Sequence, residues 1–358
     1  MEKIDTLNCP SGVSGGQDSS SLKEISEHCH KYKGAQLSRS LFQLSTTVVL
    51  FLVAASLMFY AVMSGQWLLY ALLLLPTSGL LVRLFIIQHD CGHGAYFKTR
   101  AANDWVGRFI SIATVTPYGF WRRTHNLHHA GSGNLERRGY GGIETLTIAE
   151  YKALSSRDQL VYRLYRNPFL LLVLGTPFFV MILQRFAIAE PFPFAEISKA
   201  ASLDGAKESV TGLNIAMVVF YGALMAVVGV FPVLVVAVPL LIVTSWIGGW
   251  LFFIQHQFED TVWDKPEDWN FQHAALQGSS YYDLHPILHW FTGNIGYHHI
   301  HHFSSAIPNY RLKECLEANS ALQKMNRITF LQSLKCVRLA LWDEGRRKLV
   351  SFRDAAVA

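Results

Sequence analysis

Three stretches of five residues hold nine of the fifteen histidines in this chain. They are residues 89–93, 125–129 and 298–302, and their histidines are spaced HxxxH, HxxHH and HHxHH. On an α-helix, residues three and four apart share one face and lie about 5–6 Å apart. Each stretch can therefore point two or three imidazoles at one place, and neutral imidazole is the commonest metal ligand among side chains. Eight convergent rings exceed the roughly four to six ligands of one first-row ion, so the pattern predicts a pair of ions.

The choice of metal follows from the ligand type. Sites made only of histidine suit zinc, iron, copper or nickel. A structural zinc site needs four ligands and usually includes cysteine, and a catalytic zinc uses about three protein ligands. Iron adds redox chemistry, and an iron pair with open positions can activate O2. We therefore expect two iron ions (Fe2+/Fe3+) as cofactors and O2 as co-substrate. A metal-binding membrane receptor or carrier without turnover is the alternative from another functional class.

The composition indicates a membrane protein. Only 16% of the 358 residues are charged, whereas about a quarter is usual in soluble proteins. The net charge of +5 is modest and spread along the polar segments, so a nucleic-acid partner is not expected. The five cysteines form no CxxC pair, which favours a reducing compartment over a disulfide scaffold.

Four apolar runs are long enough to cross a bilayer, which takes about 20 residues of helix. They form two hairpins and lie at about 46–63, 67–88, 213–230 and 232–254. Pro76 is expected to bend the second run, and Phe231-Pro232 to separate the last two. A fifth apolar run, 168–186, is split by Gly175-Thr176-Pro177. If it crossed, the second and third histidine stretches would face opposite sides, so we expect it to be interfacial or re-entrant.

These runs predict an all-α, polytopic membrane protein with about four spans. Interfacial helices, one of them at 104–120, and a histidine-rich domain complete it. Lys and Arg flank the histidine side and are missing from both hairpin tips, which places the histidines in the cytoplasm. We divide the chain into an N-terminal cytoplasmic tail, 1–41, disordered over about 1–20, a membrane domain, 42–315, and a peripheral C-terminal tail, 316–358.

The phrases around the histidines carry a family resemblance. HDCGHGAYF, FWRRTHNLHHAGSGN, FIQHQFEDTVW and NIGYHHIHHFSSAIPNYRL resemble the integral-membrane fatty acid desaturases, most of all their Δ12 (omega-6) acyl branch. The similarity covers about residues 45–315. It implies insertion of a cis double bond into a fatty acyl chain with O2 and two electrons. A related di-iron hydroxylase, acetylenase or ketolase is the alternative within enzymes.

The resemblance also implies partners and ligands. The acyl chain would be carried on a glycerolipid, on CoA or on a carrier protein. The chain has no heme, iron–sulfur or nucleotide motif of its own, so a separate ferredoxin or cytochrome b5-type donor is implied. Carried over position by position, the iron ligands are His89, His93, His125, His128, His129, His256, His298, His301 and His302. Some relatives have an Asn four positions before the residue that matches His256, and Phe252 stands there in this chain.

Further residues have open interpretations. Four carboxylates could orient imidazoles or simply be solvated: Asp90, Glu144, Glu259 and Asp260. Arg122 and Arg123 could contact a lipid head group or the electron donor, or anchor the chain at the membrane surface. A third group is expected to have ordinary packing or surface roles, comprising His28, His30, Cys91, His273, His285, His289 and His299. His299 belongs there because it is turned about 100° from His298 on a helix.

Overall fold

A computed structural model of the protein describes residues 19–138, 142–186 and 205–356. These residues are mostly helical. In chain order the α-helices are α1 Ser19–His30, α2 Leu37–Met63, α3 Trp67–Gly92, α4 Arg100–Thr114, α5 Tyr118–Gly131, α6 Ile148–Ala153, α7 Ser156–Tyr165, α8 Thr176–Met181, α9 Ala206–Val228, α10 Val230–His256, α11 Phe271–Gln277, α12 Pro286–Phe291, α13 His298–Phe303, α14 Asn309–Glu317, α15 Phe330–Cys336 and α16 Phe352–Ala355. A π-helix, Phe169–Gly175, and two 3-10 turns, Leu183–Arg185 and Leu322–Lys324, complete the helical elements.

Four helices, α2, α3, α9 and α10, are long and apolar enough to cross a membrane, which confirms the predicted architecture. Most of their apolar surface faces outward rather than into the protein, as lipid-facing side chains must: Phe42, Val218 and Val227 are largely exposed. Helix α3, the second of these spans, runs without interruption from Trp67 to Gly92. It therefore carries the first histidine stretch beyond the apolar part of the span.

The break in the last hairpin lies at Gly229 and not at Phe231-Pro232. Gly229 has φ 91°, a conformation that side-chain-bearing residues rarely adopt, and α10 begins at Val230. Pro232 is the third residue of that helix, where its missing N–H would have had no partner within the helix. The proline therefore marks the first turn of the new helix, and the glycine makes the bend.

The fifth apolar run lies against the last span. Helix α7 and residues 169–185 together have the length and hydropathy of a span, but they bend by 55° at their junction. Trp246 of α10 donates its indole N–H to the carbonyl of Val173 at 2.8 Å. That this segment does not cross the membrane stays a prediction.

The predicted interfacial helix at 104–120 is two helices. Helix α4 ends at Thr114, Val115 takes a left-handed conformation (φ 47°), and α5 begins after Pro117. Helix α4 packs along α3, and the turn sends α5 back towards the end of α3. Because of this reversal, the second histidine stretch reaches the first.

Two small sheets, which the sequence analysis did not predict, lie outside the spans. Strands β1 Leu146–Thr147, β4 Leu339–Asp343 and β5 Lys348–Ser351 form one, and β2 Tyr281–Asp283 pairs with β3 Arg327–Thr329 in the other. The predicted peripheral tail thus contributes β3, β4 and β5. The N-terminal stretch is expected to be disordered over about residues 1–20, and residues 1–18 of it lie outside the described residues. Helix α1, which begins at Ser19, packs through Ile25 and Cys29 against α14.

Candidate metal centre

Four elements bring the predicted histidines together. The first stretch ends α3, the second lies on α5, the third opens α13, and His256 is the last residue of α10. On α5 the spacing of His125, His128 and His129 puts all three rings on one face, as the sequence pattern requires. All nine predicted ligands lie in one continuous cluster of rings at the same end of the helix bundle.

The cluster divides into two groups of potential metal ligands. Within each group the ring nitrogens lie within 4.8 Å of one another. The first group is His89, His93, His125, His129 and His301, and the second is His128, His256 and His302. His298 adjoins the second group, since its Nε2 lies 3.2 Å from His256 Nε2. The two groups touch where the rings of His129 and His302 stack with their centroids 4.0 Å apart.

The distances between ring nitrogens fit shared cations better than hydrogen bonds. His256 Nε2 lies 3.1 Å from His128 Nε2 and 3.2 Å from His298 Nε2. A neutral ring nitrogen carries either one proton or one lone pair, so it pairs well with only one partner. Two nitrogens bound to one ion at about 2.1 Å would stand about 3.0–3.4 Å apart. The first group repeats this arrangement: His129 Nε2 lies 3.2 Å from Nε2 of both His125 and His301.

Two further observations fit a metal. The Nε2 atoms of His93 and His302 are buried and have no hydrogen-bond partner among the described residues. Burial, reinforced by neighbouring imidazoles, holds the pKa of His125, His129 and His301 well below its usual value. These rings are therefore neutral at pH 7, which is the form that binds metal.

The outer nitrogens of two ligands are held by the protein. His89 Nδ1 lies 3.1 Å from Asp90 Oδ1, and His256 Nδ1 lies 3.3 Å from the carbonyl oxygen of Gly278. These contacts turn the Nε2 atom of each ring into the cluster, an arrangement usual for metal-binding histidines. The second oxygen of Asp90 accepts hydrogen bonds from Asn309, a residue that the sequence analysis did not single out.

The other three carboxylates make no hydrogen bond to an imidazole among the described residues. Glu259 and Asp260 are exposed and bind Lys348 Nζ at 3.1 and 3.2 Å. Glu144 is buried, and burial raises its pKa to about 7. Its Oε2 has no hydrogen-bond partner among the described residues. Within the described residues, Asp90 is the one carboxylate of the four that hydrogen-bonds a histidine.

The two arginines before the second stretch differ. Arg122 is ion-paired with Asp104 and lies over the ring of Tyr118. Arg123 packs against Gly205, and its Nη1 is buried without a hydrogen-bond partner among the described residues. That either arginine contacts a lipid head group or the electron donor stays a prediction.

The residues expected to have ordinary roles lie outside the cluster. His299 is buried and its Nε2 binds the carbonyl oxygen of Leu322 at 3.0 Å, on the side away from the other rings. His285 caps α12, and His289 Nε2 accepts the N–H of Leu284. Cys91 is packed in the apolar core. Phe252 does border the cluster, with its ring centroid 5.4 Å from that of His128 and 5.5 Å from that of His256.

Two openings reach the cluster. A cleft of about 390 Å³ is lined by His93, His129 and His302, together with Lys33 and residues 303–306. A smaller cavity, of about 30 Å³, lies beside His128, His256 and Phe252. Both groups of histidines can therefore be approached by small molecules.

Comparison with known proteins agrees with this geometry. A family model described as Fatty acid desaturase matches residues 65–333. A protein of Bacillus subtilis (strain 168) named "Fatty acid desaturase" is 37% identical over 333 residues, which cover 92% of this chain and 91% of the relative. The "sn-1 acyl-lipid omega-3 desaturase (ferredoxin)" of Synechocystis is 27% identical over 73% of this chain and 70% of the relative. The "sn-1 oleoyl-lipid 12-desaturase" of the same organism is 24% identical over 82% and 78%.

The chain belongs to the fatty acid desaturase family. It is a membrane protein of that family, with oxidoreductase activity of the desaturase type and histidine clusters suited to metal binding. The predicted membership is confirmed, whereas the comparisons include both omega-3 and 12-desaturases and leave the Δ12 branch a prediction.

Proposed function

We propose that this protein is a di-iron acyl-lipid desaturase that inserts a cis double bond at the Δ12 position of a membrane-bound fatty acyl chain. The observation that carries the proposal is the convergence of nine histidines from four elements into two adjoining ligand groups. Five rings would hold one iron, and four, including His256 and His298, would hold the other. When bound, an iron pair supplies the activation of O2 and the removal of two hydrogens from unactivated methylenes.

The residues of the chain keep the ligands ordered. The buried imidazoles bring no net charge of their own. The carboxylate of Asp90 accepts a hydrogen bond from His89. This contact fixes the proton of His89 on Nδ1 and leaves Nε2 free to bind metal.

Aromatic rings border the cluster on the side of the membrane. Trp121 stacks on His125 with ring centroids 4.5 Å apart, and Phe85 lies 5.4 Å from Trp121. Phe252 lies beside the other group, next to His128 and His256. We propose that the acyl chain lies against these aromatic rings. Methylenes differ only in position, so the placement of the chain along these rings decides which carbons react.

The partners follow from the same site. An acyl chain on a glycerolipid is the proposed substrate because the relatives' names specify acyl-lipids. Arg122 and Arg123 are the proposed contacts for an acidic lipid head group or for the electron donor. Ferredoxin is the proposed electron donor, with cytochrome b5 as the alternative. The histidine side is proposed to face the cytoplasm, because Lys and Arg flank that side of the spans.

Expression in a host that makes monounsaturated but no polyunsaturated lipids tests the function. Gas chromatography with mass spectrometry of double-bond adducts should show a new cis double bond at Δ12, and the His301→Ala variant should give none. An omega-3 double bond would overturn the position alone. A hydroxylated or acetylenic product would overturn desaturation in favour of the related di-iron reactions. No lipid product, with an active ferredoxin system present, would contradict the proposed function as a whole.

A further inference from the structure

A line of buried polar side chains leads from the first membrane span to the metal centre. Gln43 lies on α2, Asn309 is the first residue of α14, and Asp90 follows the candidate ligand His89 on α3. Their exposed fractions are 6%, 0% and 1%. Burying a polar group costs folding free energy unless it is hydrogen-bonded. Each hydrogen bond along this line therefore helps to fix the orientation of the next side chain.

Asp90 is held from two sides. Its Oδ1 lies 3.1 Å from His89 Nδ1. Its Oδ2 accepts the backbone N–H of Asn309 at 2.6 Å and the side-chain Nδ2 at 2.8 Å. The backbone donor is in the first turn of α14, whose positive end also favours the carboxylate there. With Asn309 in place, the carboxylate has little freedom to turn away from His89.

Asn309 is itself oriented by Gln43. A carboxylate only accepts hydrogen bonds, so the amide nitrogen of Asn309 must face Asp90 and its oxygen must face the other way. Gln43 Nε2 donates to that oxygen at 2.8 Å, and Gln43 Oε1 accepts from Asn309 Nδ2 at 3.3 Å. The paired amides thus fix one of the two possible orientations of the Asn309 side chain.

We propose that Asn309, oriented by Gln43, is a positioning residue of the five-histidine metal site, acting through Asp90 on His89. The inference rests on the proposed function, because it assumes that His89 binds metal. Loss of the Asn309 side chain removes one of the two hydrogen bonds to Asp90 Oδ2, while the backbone N–H of residue 309 stays, so Asp90 is held less firmly and the His89 ring can tilt. Losing the direct partner of a metal-binding histidine typically costs about 10–100-fold in metal affinity, and loss of Asn309, one hydrogen bond further out, should cost less.

Cobalt(II) binding to the metal-free protein tests this without relying on activity. We expect two ions per chain in the wild type. In Asn309→Ala, one of the two should bind more weakly, by up to about 10-fold, with a changed visible absorption spectrum, while the other is unaffected. Gln43→Ala should produce a smaller shift in the same ion. The matched control is Asn214→Ala, because Asn214 also makes two side-chain hydrogen bonds but to Arg185, away from the histidines.

If Asn309→Ala fails to fold, Asn309→Asp provides the same test with a side chain of equal size, since it replaces the Nδ2 donor with an oxygen that repels Asp90. Wild-type affinities and an unchanged spectrum in the folded variant would overturn the inference. The same effect in Asn214→Ala would also overturn it. Fewer than two cobalt ions in the wild type would instead count against the di-iron proposal, so the two failures are distinguishable.

Discussion

The Nε2 atoms of His128 and His256 lie 3.1 Å apart, although one belongs to α5 and the other ends the last span. His256 stands alone in the sequence, whereas every other candidate ligand belongs to a cluster. Its Nε2 is nevertheless the point where rings from the second and third stretches converge. If the site binds metal as proposed, His256 is a ligand and not an interfacial histidine.

His256→Ala should therefore abolish desaturation and lower the bound iron, because a central ligand of the four-histidine group is lost. The controls are His299→Ala and His273→Ala. The ring of His299 binds the carbonyl oxygen of Leu322, and the ring of His273 lies near Asp264. Both should keep substantial activity and wild-type iron. Product yield by gas chromatography and iron by mass spectrometry give the answer, and near-normal product from His256→Ala would leave a site of eight histidines.

The metal-free protein should lose stability as the pH falls from about 7 to 5. Burial holds the pKa of His128, His298 and His301 well below the usual 6.5, so the folded state takes up fewer protons than the unfolded state in this window. Stability then declines by up to about 1.4 kcal/mol per pH unit for each such histidine. Thermal unfolding between pH 7.5 and 5 measures it.

His301→Ala should make the pH dependence of the unfolding midpoint shallower, because one buried imidazole is removed. His30→Ala should leave it unchanged, since His30 is exposed. A midpoint that does not move between pH 7.5 and 5 would show that the folded and unfolded states take up equal numbers of protons in this range, and would contradict the lowered pKa of the buried rings.

The packing of the fifth apolar run is testable with two adjacent glycines. A Cβ at Gly249 would lie 2.9 Å from Thr176 Cβ, whereas one at Gly248 would meet nothing within 4 Å. Gly249→Ala should therefore destabilise the protein by about 1–3 kcal/mol, the usual cost of overpacking. Gly248→Ala, with the same change in helix propensity, should not. Equal thermal unfolding midpoints for the two variants would show that the run does not rest on α10 there.

The side of the membrane on which each loop lies can be measured with single cysteines, introduced into a variant whose native cysteines are replaced. Glu136→Cys, Ala195→Cys and Ala306→Cys should react with a membrane-impermeant maleimide from the cytoplasmic side, and Ser64→Cys, in the tip of the first hairpin, from the opposite side. Positions 136 and 306 on opposite sides would separate the second and third histidine stretches. Reaction of position 195 from the outside would show that the 168–186 run crosses.

The local features of the fold and of the site could be predicted from the sequence. The spacing of His125, His128 and His129 specifies a shared helix face, and uninterrupted apolar runs specify spans. The long-range part could not be predicted. Asn309 lies 219 positions from Asp90 and 266 from Gln43, and strands of two to five residues such as β1 and β4 show too little alternation to be recognised. The sequence left open whether Glu259 orients an imidazole or is solvated, and in the structure it pairs with Lys348, 89 positions further along the chain.

Metal content tests the central claim most directly. Protein purified without oxygen, in detergent and free of added metal, should contain two irons per chain when iron and zinc are both quantified, and its desaturase activity should rise in proportion to iron. Some zinc after overexpression is compatible with this, because the same histidines accept it. A stable content of one iron per chain with full activity would contradict a two-ion centre built from nine histidines.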